Sequence, residues 1–451
     1  MFVCSTLAGL VVILASVSVS RAQVPARSVW KAESDQDGAG FGGDVALVGD
    51  VDGDGYGDVL VGAYSFNGAQ FDVGSASLFL GSPDGPSKLP DWSATGSQGY
   101  ANFGESLRGA GDVNRDGYAD VIIGAWQAGS ASVYLGSPTG LAQAPDWTAT
   151  TQAGDYAFGW SVSSAGDVNG DGYDDVIVSA HGYSNDQAFE GRVHVYPGSA
   201  MGLALAPAWS VEGNQAHSGF GSWVARAGDV NGDGYGDVIV GAPRWNNGQN
   251  DEGRVFVYFG SAAGLVTSPA WSAESNQNEC LMGYWVSCAG DVNGDGYDEV
   301  IVGLNSFDGG EANEGAAYVY QGSASGPSAS PVWTTEANQF GALAGGISSG
   351  DLDGDGYSDV LVGYYAYDRD QVNEGRVFAF YGSPTGLATR SGWSVEGNQR
   401  DCYFGYAVSG GGDVNGDGYD DVVVGAYQFD AGQNNEGRAF AYLGSPRRRL
   451  P

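Results

Sequence analysis

A short acidic segment recurs seven times in the chain, and its residue types are those that bind divalent cations. It reads GDVNGDGYDDV at residues 166–176 and again at 412–422, with close variants at five other places. Counted from its first Asp, positions 1 and 5 are always Asp, position 3 is Asn or Asp, and position 9 is Asp or, once, Glu. Position 6 is always Gly and position 7 is always Tyr.

The side-chain oxygens at positions 1, 3, 5 and 9, with the backbone carbonyl of position 7, would converge on one point if the chain turned at the glycine. Hard oxygen ligands of mixed type suit Ca²⁺, which accepts six to eight of them. The segment begins like an EF-hand loop, but it lacks a Glu at position 12 and helices on either side, so we interpret it as a β-hairpin loop. The sequence predicts up to seven structural Ca²⁺ ions, whose ligands are Asp50, Asp52, Asp54, Tyr56, Asp58, Asp112, Asn114, Asp116, Tyr118, Asp120, Asp167, Asn169, Asp171, Tyr173, Asp175, Asp229, Asn231, Asp233, Tyr235, Asp237, Asp291, Asn293, Asp295, Tyr297, Glu299, Asp351, Asp353, Asp355, Tyr357, Asp359, Asp413, Asn415, Asp417, Tyr419 and Asp421.

Clusters of Asp, Asn and Gly also form ordinary turns, because their side chains cap the nearby backbone. A turn has no need of several carboxylates so close together, and without a cation they repel one another. Seven copies that keep acids at positions 1, 5 and 9 therefore favour metal binding, and they predict a fold that a chelator destabilises.

The acidic segments must be positioned by a repeating unit, since they begin 55 to 62 residues apart. A Trp opens each unit, and a Phe-Gly pair stands nine residues before the acidic segment in five of them. The fifth unit has Met282-Gly283 there, and in the sixth we assign Phe340-Gly341, which stands two residues early. A period of this length is typical of a solenoid or a propeller.

Each unit contains four candidate strands: the segment after Phe-Gly, the DVIVGA-like segment, the GRVFVYFGS-like segment, and the residues around the Trp. The second and third are apolar at consecutive positions, which indicates a sheet buried on both faces. No segment keeps a helical period for three turns. The predicted fold is all-β, a seven-bladed β-propeller with four-stranded antiparallel blades. The N-terminal segment 28–34 is expected to close the ring by pairing with residues 437–445.

The predicted domain boundaries follow from this repeat. The propeller spans 28–446, with repeats at about 30–91, 92–146, 147–208, 209–270, 271–332, 333–392 and 393–446, and a short basic tail at 447–451 follows. Residues 1–22 are interpreted as a secretory signal peptide, because an apolar run precedes small residues. An N-terminal anchor helix is the alternative. We therefore expect a secreted, extracellular or cell-surface protein with no membrane span after signal cleavage.

Composition limits the partners. The formal net charge is −36 and Lys and Arg are scarce, which argues against nucleic acid and anionic membranes as partners. Three cysteines follow the predicted signal, Cys280, Cys288 and Cys402. Because an extended strand would separate the first two by more than the ~7 Å that a disulfide allows, we predict free, buried thiols.

The combination of Phe-Gly, GDVNGDGY and VGA in each unit resembles the FG-GAP repeat of integrin alpha subunits and related secreted proteins. The resemblance covers the chain from about Trp30 to Pro446. It implies a seven-bladed propeller with Ca²⁺ in hairpin loops on one face and a ligand surface on the opposite face. The chain departs from that family in carrying the acidic loop in every repeat, and an integrin stalk, membrane span and cytoplasmic tail are missing from this sequence, which argues against adhesion with a beta-subunit partner.

The face opposite the acidic loops is therefore the expected ligand face, and its long loops are polar and aromatic. In the second repeat this loop shrinks to WQAGS, which predicts a notch beside Trp126. A catalytic group is needed once, so it should break the repeat pattern. The residues that do so on this face are His181, His217, Arg244, Trp245, Arg369, Arg400 and Asp401.

These pattern-breaking residues form no recognisable nucleophile–base set. We therefore expect a monomeric, non-enzymatic ligand-binding or adhesion module whose partner is an extracellular protein or glycan. A secreted carbohydrate-active enzyme on a propeller scaffold is the alternative, since its paired carboxylates could come from any of the many acids.

Overall fold

The computed structural model describes residues 28–152 and 154–447, which form seven four-stranded antiparallel sheets and contain no helix. The predicted signal peptide and most of the basic tail lie outside the described residues. Within them, no helix is long and apolar enough to cross a membrane. The sheets are arranged in a ring because the first strand of each blade contacts the first strand of the next. The sequence prediction of an all-β, seven-bladed propeller is confirmed.

The first strand of each blade follows the Phe-Gly position, and the second follows the acidic segment. The first strands are β2 (Phe41–Leu47), β6 (Leu107–Gly111), β10 (Phe158–Gly166), β14 (Trp223–Gly228), β18 (Met282–Gly290), β22 (Ala344–Gly350) and β26 (Val408–Gly412). The second strands are β3 (Val59–Ala63), β7 (Asp120–Ala125), β11 (Asp175–Ala180), β15 (Asp237–Ala242), β19 (Glu299–Leu304), β23 (Asp359–Tyr364) and β27 (Asp421–Ala426).

The third strand of each blade is the aromatic GRVFVY-like segment, and the outer strand begins at the recurring Trp. The third strands are β4 (Ser75–Phe79), β8 (Ser130–Tyr134), β12 (Arg192–Tyr196), β16 (Arg254–Tyr258), β20 (Ala316–Tyr320), β24 (Arg376–Phe380) and β28 (Arg438–Tyr442). The outer strands are β5 (Trp92–Thr95), β9 (Trp147–Thr150), β13 (Trp209–Glu212), β17 (Trp271–Glu274), β21 (Trp333–Glu336), β25 (Trp393–Glu396) and β1 (Trp30–Glu33).

The ring closes where the sequence predicts. Strand β1 pairs with β28 in antiparallel register, with Trp30 opposite Ala441 and Glu33 opposite Arg438. The seventh blade thus takes its outer strand from the start of the propeller and its other three from the end. Closure removes the exposed sheet edge that an open ring would leave.

The core lies between blades. The second strand of each blade is buried along its whole length. The apolar residues of neighbouring blades form one cluster at each interface between them. The Phe-Gly glycine lets these sheets approach closely: Gly104 has a φ of +83° and its N–H donates to the carbonyl of Gly124 at 3.0 Å. Its own carbonyl faces Gly62 of the preceding blade, where a β-carbon would overlap it.

One sequence assignment in the sixth blade is wrong. Phe340, taken there as the Phe of the Phe-Gly pair, is 71% exposed. Ala344 holds the equivalent place, because it pairs with Tyr364 as Phe41 pairs with Ala63. From this place to the acidic segment, β22 needs two residues fewer than β10 of the third blade. Its register shift after Ala344 contains fewer extra residues, and it lacks the second register shift that β10 has near its end.

Of the described cysteines, all three are free, as predicted. Cys280 and Cys402 are buried, whereas Cys288 is only half-buried. Cys288 lies within β18 rather than at its end, and Cys280 precedes the strand.

Candidate metal centres and the opposite face

Each acidic segment forms the hairpin loop between the first and second strands of its blade. The position-1 carboxylate shapes the loop, as the third hairpin shows. Asp167 accepts the backbone N–H groups of Gly170, Asp171 and Gly172 at 2.6, 3.1 and 2.7 Å. Asn169 accepts from the N–H of Asp171 at 2.9 Å, and the side chain of Asp171 accepts from the position-7 N–H at 3.1 Å. The backbone of the loop therefore turns around the side-chain oxygens at positions 1, 3 and 5, which accept its N–H groups.

The position-9 carboxylates are the most buried of the predicted ligands. Asp237, for example, is fully buried, and it accepts the N–H of Val230 at 3.0 Å and of Gly260 at 2.9 Å. The same two-donor arrangement holds a fully buried acid in every hairpin, namely Asp58, Asp120, Asp175, Asp237, Glu299, Asp359 and Asp421.

Burial disfavours the ionised form of these acids. Burial raises the pKa of the six aspartates to about 7 and that of Glu299 to about 8. The carboxylate at position 1 and that at position 3 or 5 of the same loop raise it further. Of these seven position-9 acids, only Asp359 has an ion pair with a basic side chain of the described residues. A bound cation would offset this cost, because an adjacent positive charge favours the carboxylate.

The structure brings positions 1, 3 and 9 together. In the first and sixth hairpins, where position 3 is Asp, one oxygen from each of the three carboxylates lies within 4.8 Å of the other two, a spacing that could hold a metal ion. These groups are Asp50, Asp52 and Asp58, and Asp351, Asp353 and Asp359. Position 5 lies beside position 3: the amides of Asn114, Asn231 and Asn415 donate to the acid two residues on at 2.9–3.0 Å.

The donor set fits Ca²⁺, and the sixth hairpin gives a direct test of the fit. Oδ1 of Asp353 is buried and has no hydrogen-bond partner. The guanidinium of Arg447 lies against the same carboxylate and is 3.5 Å from Asp355 and 3.7 Å from Asp359. Arg447 also stacks 4.1 Å over the ring of Tyr381. A side-chain cation of the chain thus occupies the place where the pattern predicts a metal.

The seven hairpins are hydrogen-bonded to one another in a closed circle. In each, the N–H of position 8 donates to the carbonyl of position 1 in the preceding blade, at 2.7–3.3 Å. The seven pairs are Gly57 to Asp413, Ala119 to Asp50, Asp174 to Asp112, Gly236 to Asp167, Asp298 to Asp229, Ser358 to Asp291 and Asp420 to Asp351. Each position-1 residue therefore accepts hydrogen bonds from its own loop with its side chain and one from the next loop with its backbone carbonyl.

The sequence marked the recurring Trp as the start of a unit but gave it no role. In the structure its indole N–H bonds to the following blade: Trp30 donates to the carbonyl of Ser87 at 2.7 Å, and Trp333 to that of Ala388 at 3.0 Å. Four further tryptophans, Trp92, Trp147, Trp209 and Trp271, do the same. In four of the six bonds the acceptor follows the Trp by 57 residues. This recurring separation is the signal in the sequence that could have indicated a bond between blades.

The face opposite the acidic hairpins opens into a cavity of about 540 Å³. We call it the axial cavity, because six blades contribute to it through residues at the start of the first strand or just before it: Gly43, Glu105, Trp160, Trp223, Trp285 and Tyr406 line it. Three of the pattern-breaking residues, His181, His217 and Arg244, also line it.

The other pattern-breaking residues lie elsewhere. Trp245 packs against Phe256, Arg369 pairs with Glu396 at 2.5 Å, and Arg400 pairs with Asp401 at 3.1 Å. Sequence reasoning missed the cavity tryptophans and Glu105, although all of them lie one or two residues after the Phe-Gly glycine or its equivalent. Comparing that position between repeats would have found them, since it is Gly in the first unit, Glu in the second and Trp in the third.

Trp126, beside which the sequence predicts a notch, borders this cavity. Its indole N–H donates to Oε2 of Glu105 at 2.5 Å, and its ring is 5.0 Å from that of Trp160. Asn102 donates to the same oxygen at 3.0 Å. Burial raises the pKa of Glu105, while the bonds from Trp126 and Asn102 oppose the rise.

The repeating blades with their acidic hairpins match known repeat families. The FG-GAP repeat family matches residues 103–137, 158–196, 220–258 and 404–442, and the FG-GAP-like repeat family matches residues 291–362. The chain thus carries FG-GAP repeats that form an integrin-alpha-like propeller.

Among curated relatives, integrin alpha-PS2 of Drosophila melanogaster is 31% identical over 51% of this chain and 18% of its own length. Integrin alpha-5 of Xenopus laevis is 31% identical over 47% of this chain and 20% of its own. Phosphatidylinositol-glycan-specific phospholipase D of Mus musculus is 37% identical over 35% of this chain and 19% of its own. The matched region thus spans about a fifth of the length of these relatives.

Proposed function

We propose that the protein is an extracellular ligand-binding or adhesion module whose propeller is stabilised by Ca²⁺ in its seven hairpin loops. The observation that carries the calcium assignment is the set of seven fully buried position-9 carboxylates, each beside further acids. Six of them have no basic partner among the described residues. Buried anions of this kind are stable only when they are paired or coordinate a metal.

Calorimetry tests the calcium part. Titration of the EDTA-treated protein with Ca²⁺ should reveal up to seven sites, and thermal unfolding should shift upward with Ca²⁺. A site filled at tenfold over its Kd contributes ~1.4 kcal/mol, so seven contribute about 10 kcal/mol. Mg²⁺, which demands a stricter octahedral geometry, should substitute poorly. A melting temperature unchanged by excess EDTA would contradict the assignment.

The ligand-binding part rests on the axial cavity and on the relatives. Aromatic side chains with a few polar groups in a concave site suit a small ligand or a ligand terminus. Two of the relatives are integrin alpha subunits by name. We therefore propose an extracellular protein or glycan as the partner, a secreted or cell-surface location, and a monomer. Surface plasmon resonance with immobilised protein, with and without Ca²⁺, measures binding, and light scattering measures the mass.

An enzyme is the second candidate, and one relative is named as a phospholipase D. A glycosidase needs two carboxyl groups that flank the scissile bond. Among the residues that line the axial cavity, Glu105 is the only acid. The cavity therefore favours binding over glycoside hydrolysis. Turnover of a bound glycan by the calcium-loaded protein would reverse this preference.

A further inference from the structure

The axial cavity, which the proposed function treats only as a ligand site, has a chemistry that selects one class of small ligand. Its volume of about 540 Å³ lies in the range of ~300–1,000 Å³ that small-molecule sites occupy. The blades do not line it equally. At equivalent places in the repeat, the third, fourth, fifth and seventh blades supply Trp160, Trp223, Trp285 and Tyr406, whereas the first and second supply Gly43 and Glu105. A ligand that fills it meets broad aromatic rings and one carboxylate.

Polar atoms in the wall are left without partners. Trp285 is only 4% exposed, and its indole N–H has no hydrogen-bond acceptor in the described chain. Nδ1 of His181 is likewise buried and without a partner. Both donors to Glu105 use Oε2, so Oε1 has no such bond among the described residues. A ligand that both donates and accepts hydrogen bonds would satisfy these groups.

The charges around the cavity disfavour an ionic ligand. The guanidinium of Arg108 already lies 5.3 Å from the ring centre of Trp223, held there by an ion pair of 2.6 Å with the buried Asp44. Arg244 is exposed at the rim and has no ion pair among the described residues. An incoming cation would find the ring of Trp223 already occupied by Arg108 and would meet the positive charge of Arg244. An incoming anion would meet Glu105.

We infer that the axial cavity binds a neutral sugar ring, a pyranose at the end of a glycan or standing free. The inference rests on the proposed function. The apolar face of the ring packs on Trp160 and Tyr284, where aromatic area is broad and rigid. Its hydroxyls donate to Glu105 and accept from the indole N–H of Trp285 and from Arg244.

The test uses the full chain, loaded with Ca²⁺, and a panel of neutral methyl pyranosides: the glucoside, galactoside, mannoside, fucoside and N-acetylglucosaminide. Tryptophan fluorescence and saturation-transfer NMR report binding. Methylguanidinium and acetate are the ionic comparisons. We expect at least one pyranoside to bind with 1:1 saturation, and neither ion to compete with it.

Two variants assign the binding to this cavity. Glu105→Gln keeps an acceptor for Trp126 and Asn102 but removes the charge, and should weaken the pyranoside about tenfold. Arg244→Gln changes an exposed rim residue and should weaken it about threefold. Phe71→Ala is the matched control, because Phe71 is a 70% exposed aromatic that does not line the cavity; it should change nothing.

The outcomes separate the two proposals, provided that calcium-dependent melting is recorded on the same samples. Binding of methylguanidinium or acetate without any pyranoside would overturn the sugar inference. So would pyranoside binding that neither variant weakens, or no binding by a protein that Ca²⁺ still stabilises. A melting temperature insensitive to EDTA would instead overturn the calcium part of the proposed function.

Discussion

Replacing one buried position-9 acid by its amide separates a metal ligand from a structural turn residue. Asp237→Asn preserves the shape of the side chain and removes one charge. With Ca²⁺ present, the variant loses a ligand of the fourth site, and at tenfold saturation the loss of that site alone costs ~1.4 kcal/mol of the free energy of unfolding. The calorimetric stoichiometry should fall by one site.

In EDTA the same substitution acts in the opposite direction. Burial raises the pKa of Asp237 from 3.8 to about 7 in the folded, metal-free protein. A raised pKa of an acid means stability that is present below pH 4 and lost as the pH rises through 7, so at pH 8 the full penalty applies. At ~1.4 kcal/mol per pH unit, the difference between 3.8 and about 7 sets an upper limit of about 4 kcal/mol.

The amide removes that penalty, but its NH₂ group opposes one of the two backbone N–H groups that the carboxylate accepts, which costs ~1–3 kcal/mol. At pH 8 in EDTA, Asp237→Asn should therefore equal or exceed the wild-type stability. Urea unfolding in Ca²⁺ and in EDTA measures both effects. Asp186→Asn, which changes an exposed acid by the same charge, is the control. An equal loss of stability in both conditions would mean that Asp237 only orders the turn, and the metal assignment would fail.

Three further predictions concern the sixth hairpin, the blade packing and the pH dependence. Arg447→Ala should raise the Ca²⁺ affinity of one site several-fold in calorimetry, because it removes a competing guanidinium from Asp353. Substitution of the exposed Arg390 by Ala is the control, and a lower Ca²⁺ affinity of Arg447→Ala would contradict competition. Gly425→Ala places a β-carbon against the Gly42 carbonyl and should cost about 2–3 kcal/mol by urea unfolding, whereas Gly432→Ala, which meets open space, should cost almost nothing. In EDTA the melting temperature should rise as the pH falls from 8 to 5, since the position-9 acids become protonated near pH 7, and a melting temperature that falls instead would refute the sign.

The fold could be predicted because its information is repeated along the chain. Seven copies of one pattern fix the number of blades, and the unpaired Trp30 segment at one end matches the missing outer strand at the other. The sixth blade shows where this reasoning fails. Phe340-Gly341 matches the Phe-Gly pair in residue type, but strand pairing puts Ala344 at the position of that Phe. Spacing in the sequence alone does not reveal how many residues an irregular strand contains.

The candidate sites were predictable to different degrees. Each acidic hairpin is a single continuous segment, so its ligands are adjacent in the sequence as well as in space. The axial cavity takes residues from six blades that are far apart in the sequence, and closure of the ring brings Glu105 of the second blade and Tyr406 of the seventh to the same cavity. Arg108 on Trp223 likewise joins two blades, a contact that no local pattern contains.

The hydrogen bonds between hairpins have a consequence for how the proposed calcium ions would be taken up. Each position-1 aspartate would order its own loop around an ion while its carbonyl holds the N–H of the adjacent loop, as Asp50 holds that of Ala119. Ordering one loop thus lowers the entropic cost of ordering its neighbour. Because the circle has no first or last member, such coupling favours filling and emptying as a set. Uptake would then be cooperative, with a response to the calcium concentration steeper than seven independent sites could give.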